Sequence, residues 1–239
     1  MACALAKSRS YRVGICGLGD VSQYYLHNLA TSKDFELVAA CDPDPETWQK
    51  VRVPVGYDVH HVLSCQPDLV IIAAPTHLHY QIAKCVQESA PKVTILLEKP
   101  GALAMSDLVE LYAESPCCHL ACHYAFAEEI KWMASNCHKL GALMSFKVAF
   151  DDPLVSDAGT LAPRAASLGG CWLDSGINVI IALTSALKQT VEVLDVQQRF
   201  GHELKVEGRE SSTCTCFLDY FRVNNSQSLK ALIQSPKSL

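Results

Sequence analysis

Four short stretches carry residues whose types and spacing could do chemistry. The first is the turn Gly17-Leu18-Gly19-Asp20-Val21-Ser22, which follows the apolar run Tyr11–Cys16 and precedes a helical pattern. In such a turn Gly17 permits the tight bend and Gly19 lets backbone approach a pyrophosphate. Ser22 is small enough to stand where a third glycine usually lets helix and strand pack closely. A bound pyrophosphate would then meet the free N–H groups and the positive dipole end of the helix. The second stretch is Ala-Ala-Cys-Asp42-Pro-Asp44, at the end of the next strand-like run. A carboxylate at that distance would accept a ribose 2′-hydroxyl and repel a 2′-phosphate. No Arg or Lys stands directly beside Asp42 in the sequence, so NAD is favoured, with NADP as the alternative.

The third stretch, Ile95-Leu-Leu-Glu98-Lys99-Pro100-Gly101, puts a charged pair at the end of an apolar run. Ligands of open α/β sheets bind outside such strand ends. Pro100 biases Lys99 toward an extended conformation. The same pair also fits an ordinary solvated strand terminus. The fourth stretch holds Asp174 and Asn178, four residues apart at a helix start and so on one side of it. There Asp174 or Ser175 could equally cap the helix.

The elements that must position these residues follow from periodicity. Strands are expected at Tyr11–Cys16, Glu36–Cys41, Asp68–Ala74, Val93–Leu97 and His119–Cys122. Helices are expected at Val21–Thr31, Asp58–Ser64, Leu78–Glu88 and Ser106–Ala113. That alternation predicts a parallel sheet covered by helices on both faces, an α/β Rossmann-type arrangement. The uninterrupted runs Leu69–Ala74 and Val93–Leu97 suit central strands. Beyond them the rhythm changes. Phe126–His138 reads as one amphipathic helix, Leu143–Phe150 as a strand, 151–170 as loop, and Trp172–Leu187 as a long apolar helix. Val191–Phe200 and Ser212–Val223 read as strands. We expect two domains: residues 1–122, binding the dinucleotide, and 123–239, a smaller α+β domain with a mainly antiparallel, incomplete sheet.

Composition sets limits. The chain has 239 residues, 49% of them apolar, and a net charge of −5. No apolar run approaches the ~20 residues of a membrane-spanning helix, and the N-terminal residues do not form a secretory signal. A modest, dispersed negative charge gives no footing for nucleic acid or an acidic membrane. The 12 cysteines include Cys16, Cys41 and Cys122 in expected strands. Most are read as reduced small hydrophobes, which points to a reducing compartment such as the cytoplasm. Cys117-Cys118-His119 through His123 resembles a metal cluster, but strand alternation would send its ligands to opposite faces, so no metal is expected.

Taken in order, the early G-x-G turn, Ala74-Pro75-Thr-His77-Leu-His79, Glu98-Lys99-Pro100 and Leu168-Gly-Gly-Cys-Trp-Leu-Asp174-Ser-Gly-Ile-Asn178 resemble the glucose-fructose oxidoreductase / inositol dehydrogenase / MocA family. The resemblance spans roughly residues 11–190. It implies a Rossmann domain followed by an antiparallel-sheet domain whose open face carries the substrate. It also implies that Gly17, Leu18, Gly19, Asp20, Val21, Asp42, Ala74, Pro75, His79, Glu98 and Lys99 surround the cofactor. Lys99 would touch the reacting hydroxyl or carbonyl, Asp174 would hold the substrate, and His77 has no assigned role. Many family members carry a histidine acid/base where this chain has Asn178. Asn does not exchange a proton near neutral pH, so proton transfer would fall to Lys99, with Asp174 and Asn178 positioning the substrate.

The D-x-G-x-N pattern and Leu120-Ala-Cys-His123-Tyr resemble the L-arabinose / D-galactose 1-dehydrogenase branch. That likeness places His123 and Asp152, beside Asp151, on the substrate side. Tyr124 and Ala125 depart from the branch, which usually has Ser and Arg there. The chain is also shorter than the family's usual members, so the last strands of its second sheet are expected to be missing. Because that sheet face is a common dimer surface in the family, a homodimer through it is expected. Three functions remain open: an aldose or polyol dehydrogenase, a reductase of another small ketone, imine or dihydrodiol, and an NAD(H)-binding sensor or partner subunit without turnover.

Overall fold

In the computed structural model, the residues described are 9–140, 176–188, 191–200, 204–206, 209–211, 214–223 and 227–232. The chain divides into two compact units, Met1–Ala121 and Cys122–Leu239.

The first unit is built on six strands: β1 (Tyr11–Cys16), β2 (Phe35–Cys41), β3 (Val55–Gly56), β4 (Leu69–Ile72), β5 (Thr94–Leu97) and β6 (Cys118–Leu120). They lie in the order β3-β2-β1-β4-β5-β6, and every neighbouring pair is parallel. Strand order therefore reverses between β1 and β4, opening a crevice at their carboxyl ends. The Rossmann-type sheet expected from periodicity is present. The two-residue edge strand β3 was not foreseen, because so short a segment shows no periodicity of its own.

Four helices cover the sheet: α1 (Ser22–Thr31), α2 (Val59–Ser64), α3 (Thr76–Ser89) and α4 (Met105–Glu114). Side chains alternate along each strand, so the sheet has two cores. On one face Cys16, Val70, Ile72, Ile95 and Leu97 pack with Val62 of α2, Val86 of α3 and Leu111 of α4. On the other, Val13, Ile15, Ala40 and Ile71 pack with Tyr25, Leu26 and Leu29 of α1. The spacing of those three α1 residues is a helical stripe. Asp58 caps α2, its Oδ1 accepting the His60 and His61 N–H groups. Lys84 ties α3 to Glu110 and Glu114 of α4.

Among the described cysteines, Cys16, Cys41 and Cys118 are core residues. Cys16 and Cys41 face each other across β1 and β2, are buried and carry free thiols. A hydrogen bond with Cys41, together with burial, pushes the Cys16 thiol well up. Cys122 lies just past β6 and is half-buried, not within a strand.

In the second unit a 3-10 turn (His123–Phe126) precedes α5 (Glu128–Asn136), and a second 3-10 turn (Cys137–Leu140) follows it. The single helix expected over Phe126–His138 is thus shorter. It begins after Ala127, whose extended backbone breaks the turn before it. Helix α6 (Ile177–Leu187) covers the later part of the long apolar helix expected there. Strands β7 (Val191–Phe200), β10 (Cys214–Val223) and β11 (Gln227–Leu232) form an antiparallel sheet in the order β11-β10-β7, and β8 (Leu204–Val206) pairs antiparallel with β9 (Arg209–Ser211). The strand expected at Leu143–Phe150 and the loop expected at 151–170 lie outside the described residues.

Ile72 is fully buried at the centre of the larger core. Ile72→Ala should cost about 2–5 kcal/mol of stability, the usual range for emptying such a site, read as a lower urea midpoint at unchanged slope.

Candidate functional site

The crevice between β1 and β4 brings most of the predicted residues together. β1 ends at Cys16, and the next residue, Gly17, has φ +96°. A Cβ on Gly17 would lie 2.6 Å from Ala74 N and 2.7 Å from Ala73 O. Both the left-handed backbone and the contact with the turn after β4 therefore demand glycine. Gly17 N–H donates to Cys41 O at 2.8 Å, and Ala73 N–H donates to Cys16 O at 2.8 Å. Around Gly19 the position of a Cβ is open, which leaves room for a ligand to approach the backbone. The N-cap of α1 is Val21, with no side-chain cap, and the first turn holds no acidic residue. Ser22 is buried, and its Oγ donates to Gly19 O at 2.6 Å. It packs as a small third residue should. The Ser22, Gln23 and Tyr24 N–H groups donate within the turn, and with no side chain filling the space at Gly19 or capping α1 the turn leaves room for a pyrophosphate against its backbone.

Asp42 closes β2 beside that cradle. Its Oδ2 accepts the Leu18 N–H at 2.6 Å, and its Oδ1 accepts the Asp44 N–H at 2.9 Å. Each carboxylate oxygen keeps a second lone pair, so a ribose hydroxyl still finds an acceptor. Trp48 donates its indole N–H to Asp42 O at 2.9 Å, which folds the 3-10 turn Pro45–Lys50 against the strand end. Lys50 Nζ consequently donates to Leu18 O at 2.6 Å. The sequence shows no cation directly beside Asp42; the fold brings Lys50, eight residues on, to the carbonyl of Leu18, whose N–H Asp42 holds.

On the other side of the crevice, Glu98 and Lys99 follow β5, and the Lys99–Pro100 peptide is cis. Glu98 N–H donates to Ile72 O at 3.0 Å. Its carboxylate accepts the Tyr25 hydroxyl at 2.5 Å and the Lys99 N–H at 3.0 Å. Burial, then the bond to Glu98, pushes the Tyr25 phenol up, so the proton stays on tyrosine. Through this bond α1, which begins at the glycine turn, grips the strand tip that carries Lys99. Tyr25 was not singled out from sequence, where it reads as one more apolar position of the α1 stripe.

His79 has an indirect role in this crevice. It is 1% exposed, and its ring nitrogens lie 2.9 Å from Pro100 O and 2.8 Å from Ala74 O. It straps the turn after β4 to the turn after β5, so its effect on the crevice passes through Ala74 and Pro100. Burial lowers its pKa, against the pull of the two carbonyls. A neutral ring has one N–H and donates to one of these oxygens at a time. His77 is exposed at the start of α3, and Pro75 is exposed at its N-cap. Asp20 is exposed and Val21 half-buried, both at the mouth of the glycine turn.

Apart from Lys99, the expected substrate-side residues belong to the second unit. His123 is exposed in its 3-10 turn, its ring 4.3 Å from that of Tyr124. Asn178 lies in the first turn of α6 and is 2% exposed. Asp151, Asp152 and Asp174 lie outside the described residues. Among the described residues no three His, Cys, Asp or Glu side chains gather as a metal site would require. No described helix is long and apolar enough to cross a membrane.

Residues 11–125 match the family described as "Oxidoreductase family, NAD-binding Rossmann fold". This part of the chain is similar to the NAD-binding Rossmann domain of that family, the glucose-fructose oxidoreductase / inositol dehydrogenase / MocA group. A curated relative from Amycolatopsis mediterranei (strain S699), provisionally named the oxidoreductase subunit of UDP-kanosamine synthase, is 32% identical over 109 residues. That match takes in 44% of this chain and 30% of the relative's length. Two solved structures share the fold. Myo-inositol dehydrogenase from Lactobacillus casei, in complex with NAD(H) and myo-inositol, has a TM-score of 0.73 at 15% identity, covering 95% of this chain and 68% of that one. An oxidoreductase from Agrobacterium radiobacter, in complex with NAD+, L-tartaric acid and magnesium, has a TM-score of 0.72 at 17% identity, covering 96% of this chain and 68% of that one.

Two substitutions test the site's construction. Tyr25→Phe leaves a half-buried carboxylate oxygen without its donor and should cost about 1–3 kcal/mol, measured by urea unfolding. For His79 the folded pKa lies below the unfolded value of about 6.5, so the unfolded chain binds the extra proton. Stability should therefore fall as pH drops below about 6.5, by at most about 1.4 kcal/mol per pH unit from this group. In His79→Gln the thermal midpoint should fall less between pH 7 and pH 5 than in the wild type.

Proposed function

We propose that this chain is a nicotinamide-dependent oxidoreductase moving a hydride between the cofactor and a small polyhydroxylated substrate such as an aldose. The observation that carries this reading is Lys99. It stands at the carboxyl end of β5, beside the switch-point crevice, on a tip gripped by Tyr25 and strapped by His79. The backbone of the Gly17–Gly19 turn at the start of α1 would hold the pyrophosphate, and Asp42 the adenosine ribose. When bound, the nicotinamide supplies the hydride acceptor or donor at its C4 carbon.

The chain's own residues do the rest. In the oxidative direction the Lys99 amine takes the proton of the reacting hydroxyl, and in the reductive direction its ammonium returns it. Asp174 and Asn178 would orient the substrate hydroxyls, with His123 and Asp152 at its far side. Orientation of the donor carbon against C4 is the main use of such binding energy. The same reading has the protein working in a reducing compartment and associating as a homodimer through its C-terminal sheet.

A second reading, an NAD(H)-binding sensor or partner subunit, draws on one observation. Position 178, where many relatives hold an acid/base histidine, is an asparagine 2% exposed in α6.

A panel of aldoses and polyols, scored by NADH production with wild type and Lys99→Ala side by side, separates the two. The enzyme reading expects turnover on at least one sugar. It expects a loss of about 10²–10⁴-fold in Lys99→Ala, with NADH still quenching or enhancing fluorescence in both proteins. Full turnover in Lys99→Ala removes the proposed mechanism. NADH binding without turnover on any substrate selects the sensor.

A further inference from the structure

We infer that Lys50 reads the 2′ position of the adenosine ribose, so that this chain takes NADP(H) as well as NAD(H). The inference rests on the cofactor reading above and refines its adenosine end. Taken alone, Asp42 predicts discrimination against NADP, because a carboxylate repels a 2′-phosphate. The folded site is not a carboxylate alone. Leu18, inside the glycine turn, is bracketed by opposite charges: its N–H is held by Asp42 Oδ2 at 2.6 Å and its carbonyl by Lys50 Nζ at 2.6 Å. An ammonium and a carboxylate thus meet the backbone of the same residue.

Lys50 reaches this place by construction. Asp44 starts the 3-10 turn Pro45–Lys50, its Oδ1 accepting the Glu46 N–H at 3.0 Å and its carbonyl the Thr47 hydroxyl at 2.8 Å. Trp48 anchors the turn twice, by its bond to Asp42 O and by an edge contact with Tyr57 at 4.9 Å between ring centroids. Lys50 closes the turn and is exposed, so its side chain can swing on a flexible four-carbon stem. Of its three N–H donors one is used on Leu18. With a 2′-hydroxyl in place, Asp42 accepts the hydroxyl and Lys50 stays on Leu18. With a 2′-phosphate in place, Lys50 turns to the phosphate and offsets the repulsion from Asp42.

The test is fluorescence titration of the full chain with NADH and with NADPH, in the wild type, Lys50→Gln and Lys50→Arg. We expect the wild type to bind NADPH within about tenfold of NADH, with the steeper salt dependence for NADPH that a screened charge contact gives. In Lys50→Gln, whose amide can still donate to a carbonyl, the NADPH-to-NADH ratio of Kd values should rise about tenfold. Lys50→Arg should restore it. A ratio unchanged by Lys50→Gln would show that Lys50 only holds the loop, and would overturn the inference. So would a wild type that binds NADH but not NADPH. Should Lys50→Gln fail to fold by circular dichroism, equal salt dependence for the two nucleotides in the wild type overturns it instead. Binding of neither nucleotide would fell the cofactor reading itself, an outcome distinct from the rest.

Discussion

Everything at the cofactor crevice depends on how closely two backbones approach. Gly17 and the Ala73–Ala74 turn touch where strand order reverses, with no room between them for a single methyl group. That contact lets the sheet remain closed under the crevice while the space beside Gly19 stays open above it. A side chain at position 17 would force β1 and β4 apart or refold the turn, and the N–H groups of the helix start would lose their aim. The left-handed φ of Gly17 and the missing Cβ are two independent demands met by one residue.

Around that contact the chain arranges two kinds of fastening. Covalent neighbours place the groups roughly, and long-range hydrogen bonds then fix them. Tyr25 reaches across to Glu98, His79 joins two turns, and Trp48 pins the segment that delivers Lys50. Each fastening is a buried or half-buried polar side chain used on backbone or on a carboxylate. In low dielectric such bonds are strong when made and expensive when missing. The site is therefore held by a few polar ties laid over an apolar sheet whose two cores supply most of the stability.

The parallel sheet, its helices and the places where they begin and end were largely legible in the residues. β1 and β7 have the bounds that alternation predicts, and the other anticipated elements of the first unit agree to within two residues or so at most ends. What escaped was β3, which is too short for a period, and the break before α5, which an extended Ala127 imposes. Among site residues, Gly17, Gly19, Asp42, Glu98 and Lys99 could be named because motif and strand end coincide. Tyr25 and Lys50 could not. One looks like core and the other like surface until the fold brings a partner to it.

Sequence alone determined the turn that a pyrophosphate needs, the carboxylate after β2 and the Glu-Lys-Pro strand tip, because each is set by residues within a few positions of one another. Short-range sterics and periodicity act before any tertiary contact forms. Only the tertiary structure decided which side chains hold those features in place. The partners lie far apart in the chain, 73 residues for Tyr25 and Glu98 and 32 for Lys50 and Leu18. Their meeting is a property of the packed sheet, which converts strand order into distance in space.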